Sequence, residues 1–377
     1  MRTARVAAAT VLAAACCGVG AARAVAPPTV DARAWLVENP STGDILTEHA
    51  DRYRTPIASI TKLMTVIVAL EHLRLTQVVH VDPRAAAVGQ ESIYLQAGQT
   101  LTVADLVEGA LIQSANDAAD ALALAVEPSF PDFAELMNLK AKELGLTDSH
   151  FVRPDGLDAP GEYSSARDVT RLALAAMRLA PVRNAVRRVT ATIAGGRTLH
   201  TWNDLLGVFP GVFGVKTGHT DDARWGQVAA VHGGGTTIYA TILGSPSRTQ
   251  RNHDLEALLA FGLAQYRQVD AVAAGRSYAL VALPYGRSPL PLVARSPLQA
   301  TVRVGVPLTE RVVAPAAVSL PVRRGQVLGR VQVWDRGRLL GARPLVAARA
   351  VAKPGFTARV GWYARRTVHH VVDLVRP

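Results

Sequence analysis

Cysteine is almost missing from this chain of 377 residues. Cys16 and Cys17 stand side by side near its start, and no others follow. A disulfide framework is therefore excluded beyond the first segment, and stability has to come from packing of the core. No H-E-x-x-H motif and no cysteine cluster is present, so the expectation is an activity with no metal and no cofactor. Solenoid-type repeats and low-complexity tracts are also absent, which excludes repeat arrays and disordered linkers as the main architecture. Aromatic residues make up 5% and charged residues 19%, against 49% hydrophobic, a globular composition. The one conspicuous apolar run, Val6 to Val19, is too short to span a bilayer comfortably.

That run has a context. Arg2 and Arg5 precede it, and small residues ending in Ala22-Arg23-Ala24 follow it. The pattern predicts a secretory signal over residues 1–24, with a single N-terminal membrane anchor as the alternative. Charge is uneven along the rest. Residues 25–269 carry a net charge of −5 and residues 270–377 carry +13, within a total of +11. A basic tail of this kind points to a polyanion, either nucleic acid or an anionic membrane face. Export excludes nucleic acid and favours the membrane.

Periodicity divides the chain further. Thr55-Pro56 leads into a helical pattern from Ile57 to about Leu73, in which Leu63, Ile67 and Leu70 repeat at helical spacing. Further helices are predicted at 102–113, 115–126, 131–144 and 165–179, closed by turn signals such as Glu127-Pro128 and Pro154-Asp155-Gly156. Trp225 to His232 and Thr236 to Leu243 alternate like strands, and Gly233-Gly234-Gly235 joins them as a hairpin turn rather than a phosphate loop. A helix is predicted at 252–266. Helices grouped between antiparallel strands make this an α+β fold. Beyond Val269 the texture becomes short Val/Leu segments at 278–283, 298–304, 311–313, 327–334 and 338–347, the pattern of a small all-β domain. On a helical wheel of Phe356 to Val375, Val360, Ala364, Val368, Val371 and Val375 share one face. Arg359, Arg366 and His370 lie opposite, so the segment reads as a basic amphipathic helix.

Three triplets carry chemistry. Ser59-Ile60-Thr61-Lys62 opens the first helix, and residues three apart share a helix face. A serine needs a nearby base to become a nucleophile. A lysine serves as one when burial or a second cation destabilises its ammonium. Ser114-Ala115-Asn116 follows 55 residues after Ser59, and Lys216-Thr217-Gly218 lies 102 residues further, just before the hairpin. On an edge strand, Lys216 and Thr217 suit a substrate carboxylate, and Gly218 leaves room for a substrate backbone. Lys216 is also the second cation expected to depress Lys62.

The order and spacing of these triplets resemble those of the low-molecular-mass penicillin-binding proteins, the serine-type D-alanyl-D-alanine carboxypeptidases. "IASITKLMT", "SANDAADALA", "GLDAPGEYSSARD" and "GVKTGHTDDA" are similar to blocks of that family. "VRRGQVLGRVQV" resembles its C-terminal β-sandwich domain, and the closing helix its membrane anchor. The resemblance implies a β-lactamase/transpeptidase-like domain over 25–269, made of an antiparallel sheet flanked by helices plus an all-helical subdomain. A β-sandwich over 270–352 and an anchoring amphipathic helix over 353–377 would follow.

The resemblance also implies roles. Ser59 attacks the penultimate D-alanine carbonyl of a peptidoglycan pentapeptide, and Lys62 takes its proton. Ser114 passes a proton to the leaving D-alanine, and Asn116 orients Lys62 and the substrate. Lys216, Thr217 and Arg251 hold the terminal carboxylate, Arg251 being placed by its distance from Leu258-Leu259. A solvated arginine at a helix start is the other reading of Arg251. The backbone N–H groups of Ser59 and His219 form the oxyanion hole. β-Lactams acylate the same serine. The implied location is the outer face of the cell membrane. Trp202 departs from the family, which often has arginine there, and the stretch Thr201 to Leu206 is given no catalytic role. Glu135 to Asn138 superficially resembles a β-lactamase block but reads as a helix face. A β-lactamase and a non-catalytic envelope protein are the competing readings.

Overall fold

The computed structural model describes residues 25–364. The signal expected at 1–24 and the part of the tail helix expected from 365 on lie outside the described residues. The described chain forms two compact units, Val25–Tyr266 and the residues from Arg267 onward.

The first unit is built on a five-stranded antiparallel sheet. Its order is Asp44–His49, Ala34–Asn39, Thr236–Ser245, Arg224–Gly233, Val212–Thr220. The hairpin expected around Gly233 forms the middle of this sheet, with Ala229 opposite Ala240. Side chains alternate between the faces of a strand, and here both faces are covered. Ala229 and Val231 pack with Leu255, Leu258 and Leu259 of the helix Arg248–Ala264. Val228 and Ala230 face the larger core that holds Leu63, Met64, Leu106 and Leu172. The strand Val212–Thr220, which carries Lys216, lies at the sheet edge, as the sequence suggested.

The segment that opens the first helix differs from expectation in a useful way. Ala58–Thr61 is a 3-10 turn, and the α-helix proper is Lys62–His72. Side chains three apart eclipse one another in a 3-10 turn, so Ser59 and Lys62 still meet. The helix runs through the core without an exposed face from Lys62 to Ala69. Leu63, Met64, Val66, Ile67 and Val68 are all buried there, each contributing about 1.5–3 kcal/mol. Together they outweigh the several kcal/mol that burying one ammonium costs.

The helix expected at 102–113 is α-helical over Val103–Glu108, where Thr102 and Asp105 form a capping box. It then widens to a π-turn over Gly109–Gln113 that ends on Ser114 in the left-handed region, φ 66°. Asn116–Val126, Phe130–Glu143 and Ala166–Ala176 follow near the expected places. The helix expected at 252–266 begins earlier, at Arg248, because the Ser247 side chain caps it by accepting from Gln250 N–H. It stops at Ala264, and a strand starts at Tyr266.

The second unit is β-rich. Its five-stranded sheet has the order Ser277–Val281, Leu290–Ala294, Arg338–Ala347, Val327–Asp335, Thr309–Val313, and Leu298–Arg303 pairs with Tyr266–Val272. The strand at Leu290 was not anticipated. Pro289 and Pro291 obscure it, although Pro291 sits within the strand. Helix is described from residue 356 to residue 364. Trp362 and Tyr363 pack edge-on against Tyr285 at 5.6 and 6.3 Å.

Candidate active site

A cleft of about 240 Å³ lies where the Ser59 turn, the Ser114 turn and the edge strand converge. Its lining includes Ser59, Ser114, Thr217, Gly218, His219 and Arg251, all expected from sequence, together with Gln90, Glu91, Trp202, Trp225 and Arg248.

The serine and the lysine are in direct contact. Lys62 Nζ donates to Ser59 Oγ at 2.7 Å, to Asn116 Oδ1 at 2.7 Å and to the Asp155 carbonyl at 2.6 Å. The Lys62 side chain is fully buried. Burial lowers its pKa to about 8, against the opposing pull of Asp155, Asp120, Glu91 and Glu162. The free amine is therefore far more accessible near neutral pH than for an ordinary lysine. In that form its lone pair faces the serine hydroxyl.

Lys216 Nζ donates to Ser114 Oγ at 2.8 Å and to the Thr217 carbonyl at 2.9 Å, and it too is buried. Its pKa is held well below the ordinary lysine value, first by burial and then by the charge of Lys62. Burial is the leading cause for both amines, and the charges of Lys62 and Lys216 oppose one another.

Local backbone explains why these side chains point inward. Ala58, just before the serine, has φ 51°, and Ser114 has φ 66°. Left-handed conformations cost a non-glycine residue about 1–2 kcal/mol each and gather at functional sites. The Ala58 turn is braced by the loop before Leu157. Thr65 Oγ1 donates to the Pro154 carbonyl at 2.6 Å, and Thr61 Oγ1 donates to Glu162 Oε1 at 2.9 Å. A Cβ on Gly156 would lie 2.2 Å from the Ala58 carbonyl oxygen. Sequence reading took Pro154-Asp155-Gly156 only as a turn. Its role as a brace and as a ligand to Lys62 is a tertiary fact.

Gly218 has a comparable role. A Cβ there would lie 2.5 Å from the Ile57 carbonyl oxygen. The chain's own backbone, beside any substrate, thus requires glycine at this position.

Arg251 is 1% exposed, which excludes a solvated arginine. It lies over the Trp225 ring at 5.7 Å, and its Nη2 donates to Asp204 Oδ2 at 2.9 Å. Burial brings its pKa down to about 10. Arg248 grips the same carboxylate, with Nε 2.8 Å from Asp204 Oδ2, and stands 5.1 Å over the Trp202 ring. Trp202 itself donates to the Gln113 carbonyl at 3.1 Å, next to Ser114. The His219 ring is exposed and stacks on Trp225 at 3.9 Å. The aromatic wall and Arg248 were missed because no local pattern marks residues 202, 225 and 248 as neighbours. Glu135 to Asn138 lies on the helix Phe130–Glu143, where Asn138 bonds the Phe151 backbone, in keeping with a helix face.

Residues 21–247 match the D-alanyl-D-alanine carboxypeptidase family, and residues 266–353 match the C-terminal domain of penicillin-binding protein 5. D-alanyl-D-alanine carboxypeptidase DacC of Escherichia coli (strain K12) is 31% identical over 375 residues, covering 93% of this chain and 91% of that one. The crystal structure of penicillin-binding protein 5 from Haemophilus influenzae aligns with a TM-score of 0.64 at 26% identity, covering 87% of this chain and 100% of that one. Penicillin-binding protein D2 from Listeria monocytogenes, in its ampicillin-bound form, aligns with a TM-score of 0.57 at 31% identity, covering 62% and 98%. The chain belongs to the serine-type D-alanyl-D-alanine carboxypeptidase family of penicillin-binding proteins.

Proposed function

We propose that this enzyme removes the terminal D-alanine from peptidoglycan pentapeptide stems through an acyl-enzyme on Ser59. The observation that carries the reading is the 2.7 Å contact between Ser59 Oγ and the buried Lys62 Nζ. Lys62 as free amine takes the hydroxyl proton while Ser59 Oγ bonds to the penultimate D-alanine carbonyl carbon. The tetrahedral oxyanion is met by the backbone N–H groups of Ser59 and His219, and each such donor supplies about 3–4 kcal/mol of transition-state stabilisation. The C–N bond to the last D-alanine then breaks. Its nitrogen receives a proton from Lys62 by way of Ser114, whose hydroxyl is already bonded to Lys216. Asn116 fixes the Lys62 amine through its Oδ1. Lys216, Thr217 and Arg251 hold the terminal carboxylate, and the incoming anion favours the charged form of Lys216. Water hydrolyses the ester and regenerates Ser59. A β-lactam acylates the same serine, but its leaving group stays tethered, so deacylation is slow.

The test is labelling by a fluorescent penicillin, paired with mass spectrometry of muropeptides incubated with the protein. The wild type takes the label and shortens pentapeptides by one alanine; Ser59→Ala does neither. Persistent labelling of Ser59→Ala refutes the assignment.

The proposal extends to placement. Residues 1–24 direct export, 25–269 form the catalytic domain, 270–352 the β domain, and 353–377 lie on the anionic outer face of the cell membrane. Phe356, Val360 and Tyr363 are 73%, 50% and 58% exposed, which leaves apolar surface for a lipid interface. Among the described residues, no helix is long and apolar enough to cross a membrane.

A further inference from the structure

On the helix whose Asn116 bonds Lys62 lies a carboxyl group that the proposed reaction does not use. Asp120 sits on the helix Asn116–Val126, one turn after Asn116 and on the same face. It is 1% exposed, and among the described residues neither carboxylate oxygen has a hydrogen-bond partner. The cation that would ordinarily neutralise it is engaged elsewhere. Arg153 Nε and Nη2 grip Asp155 at 3.0 and 2.6 Å. The neighbouring Asp117 differs, because the backbone N–H groups of Ile93, Leu95 and Ala118 satisfy it. A buried carboxylate with no donor and no bonded cation is strongly disfavoured, and binding a proton relieves it.

We infer that Asp120 is a positioning residue for the Lys62 amine: an uncharged acid in the resting site, whose carboxylate form, when it develops, holds Lys62 as ammonium. Burial and then the charge of Asp155 push the Asp120 pKa up to about 8, with Arg153 and Lys62 opposing and Asp117 adding to the rise. Lys62 changes state in the same range and faces Asp155, Asp120, Glu91 and Glu162, with Lys216 across the cleft. Each group's charge is among the causes that shift the other, so their titrations are linked. Protonated Asp120 exerts no pull on Lys62, and the amine is freer to act as base. As pH rises, Asp120 ionises and delays the loss of the last Lys62 proton. The sign follows directly: an Asp120 that cannot ionise lets Lys62 deprotonate at lower pH.

The inference rests on Lys62 being the base, and the experiment separates the two. The full chain is acylated with a fluorescent penicillin across pH 6 to 10, and the second-order rate is plotted against pH. Asp120→Asn is expected to move the midpoint of the rising limb down by about half a pH unit and to steepen it. Asp120→Leu, which fills the same apolar surroundings, is expected to do likewise. An unchanged or raised midpoint in either folded variant overturns the role of Asp120. Lys62→Met acylated at the wild-type rate overturns the base assignment instead. The unmutated protein offers an independent readout, since ¹³C-carboxyl NMR should show one aspartate titrating near pH 8 that is lost in Asp120→Asn. If every aspartate titrates below pH 6, Asp120 is not the neutral acid described.

Discussion

Gly156 offers a sharp test of how the proposed nucleophile, Ser59, is held. Its φ is +76°, and an added Cβ would meet the Ala58 carbonyl oxygen at 2.2 Å, the Ala58 carbonyl carbon at 2.7 Å and Thr61 Cβ at 2.9 Å. None of these atoms is the end of a flexible side chain, so relief requires the Ala58–Thr61 turn to move by on the order of 1 Å. Gly156→Ala carries a left-handed penalty of about 1 kcal/mol and an overpacking penalty of about 1–3 kcal/mol. The sum of about 2–4 kcal/mol lowers Tm by about 5–15 °C in a unit of this size. The moving turn also bears Ser59, and a misplacement of that size costs about 100-fold in rate. Gly98→Ala is the control. Its φ is +78°, but nothing lies within 4 Å of the added Cβ, so only the left-handed penalty of about 1 kcal/mol applies. Thermal unfolding and penicillin acylation kinetics are measured on both variants. If Gly156→Ala loses no more stability and no more acylation rate than Gly98→Ala, the account of the brace is wrong.

Two other perturbations probe distant parts of the chain. Asp204→Ala leaves the buried Arg251 without its carboxylate and frees Arg248 from Trp202's side of the cleft, so stability should fall by about 2–3 kcal/mol and the KM for pentapeptide should rise; unchanged calorimetric unfolding would count against the pairing. Deleting residues 354–377 should shift the protein from the membrane to the soluble fraction with kcat unaltered, and continued sedimentation with membranes refutes the tail as anchor.

Much of the site was legible because its chemistry is local in sequence. Ser59 and Lys62 sit one turn apart, and the Ser114 and Lys216 triplets are compact. The helical and hairpin patterns around them follow from apolar periodicity. What stayed hidden depends on long-range packing. The π-turn before Ser114 leaves the apolar spacing of residues 102–113 unchanged, so no pattern betrays it. Asp120 lies in an alanine-rich helix where nothing local distinguishes a buried acid from a solvated one. The strand Ala34–Asn39 is covered on both faces and lacks the alternation that marks half-buried strands. That burial is the leading cause for both lysines was also beyond reach, since their enclosure is set by distant segments.

Gly218 has a wider mechanical consequence. With no side chain on Gly218, the edge strand lies close against the turn bearing the serine: a Cβ there would meet the Ile57 carbonyl oxygen at 2.5 Å and the side chains of Ile60 and Ala58 at 3.1 and 3.2 Å. The strand that bears Lys216 and the turn that bears Ser59 are thus packed directly on each other. Separating them means breaking this close packing, so on the proposed mechanism heat should extinguish turnover only as the interior itself comes undone.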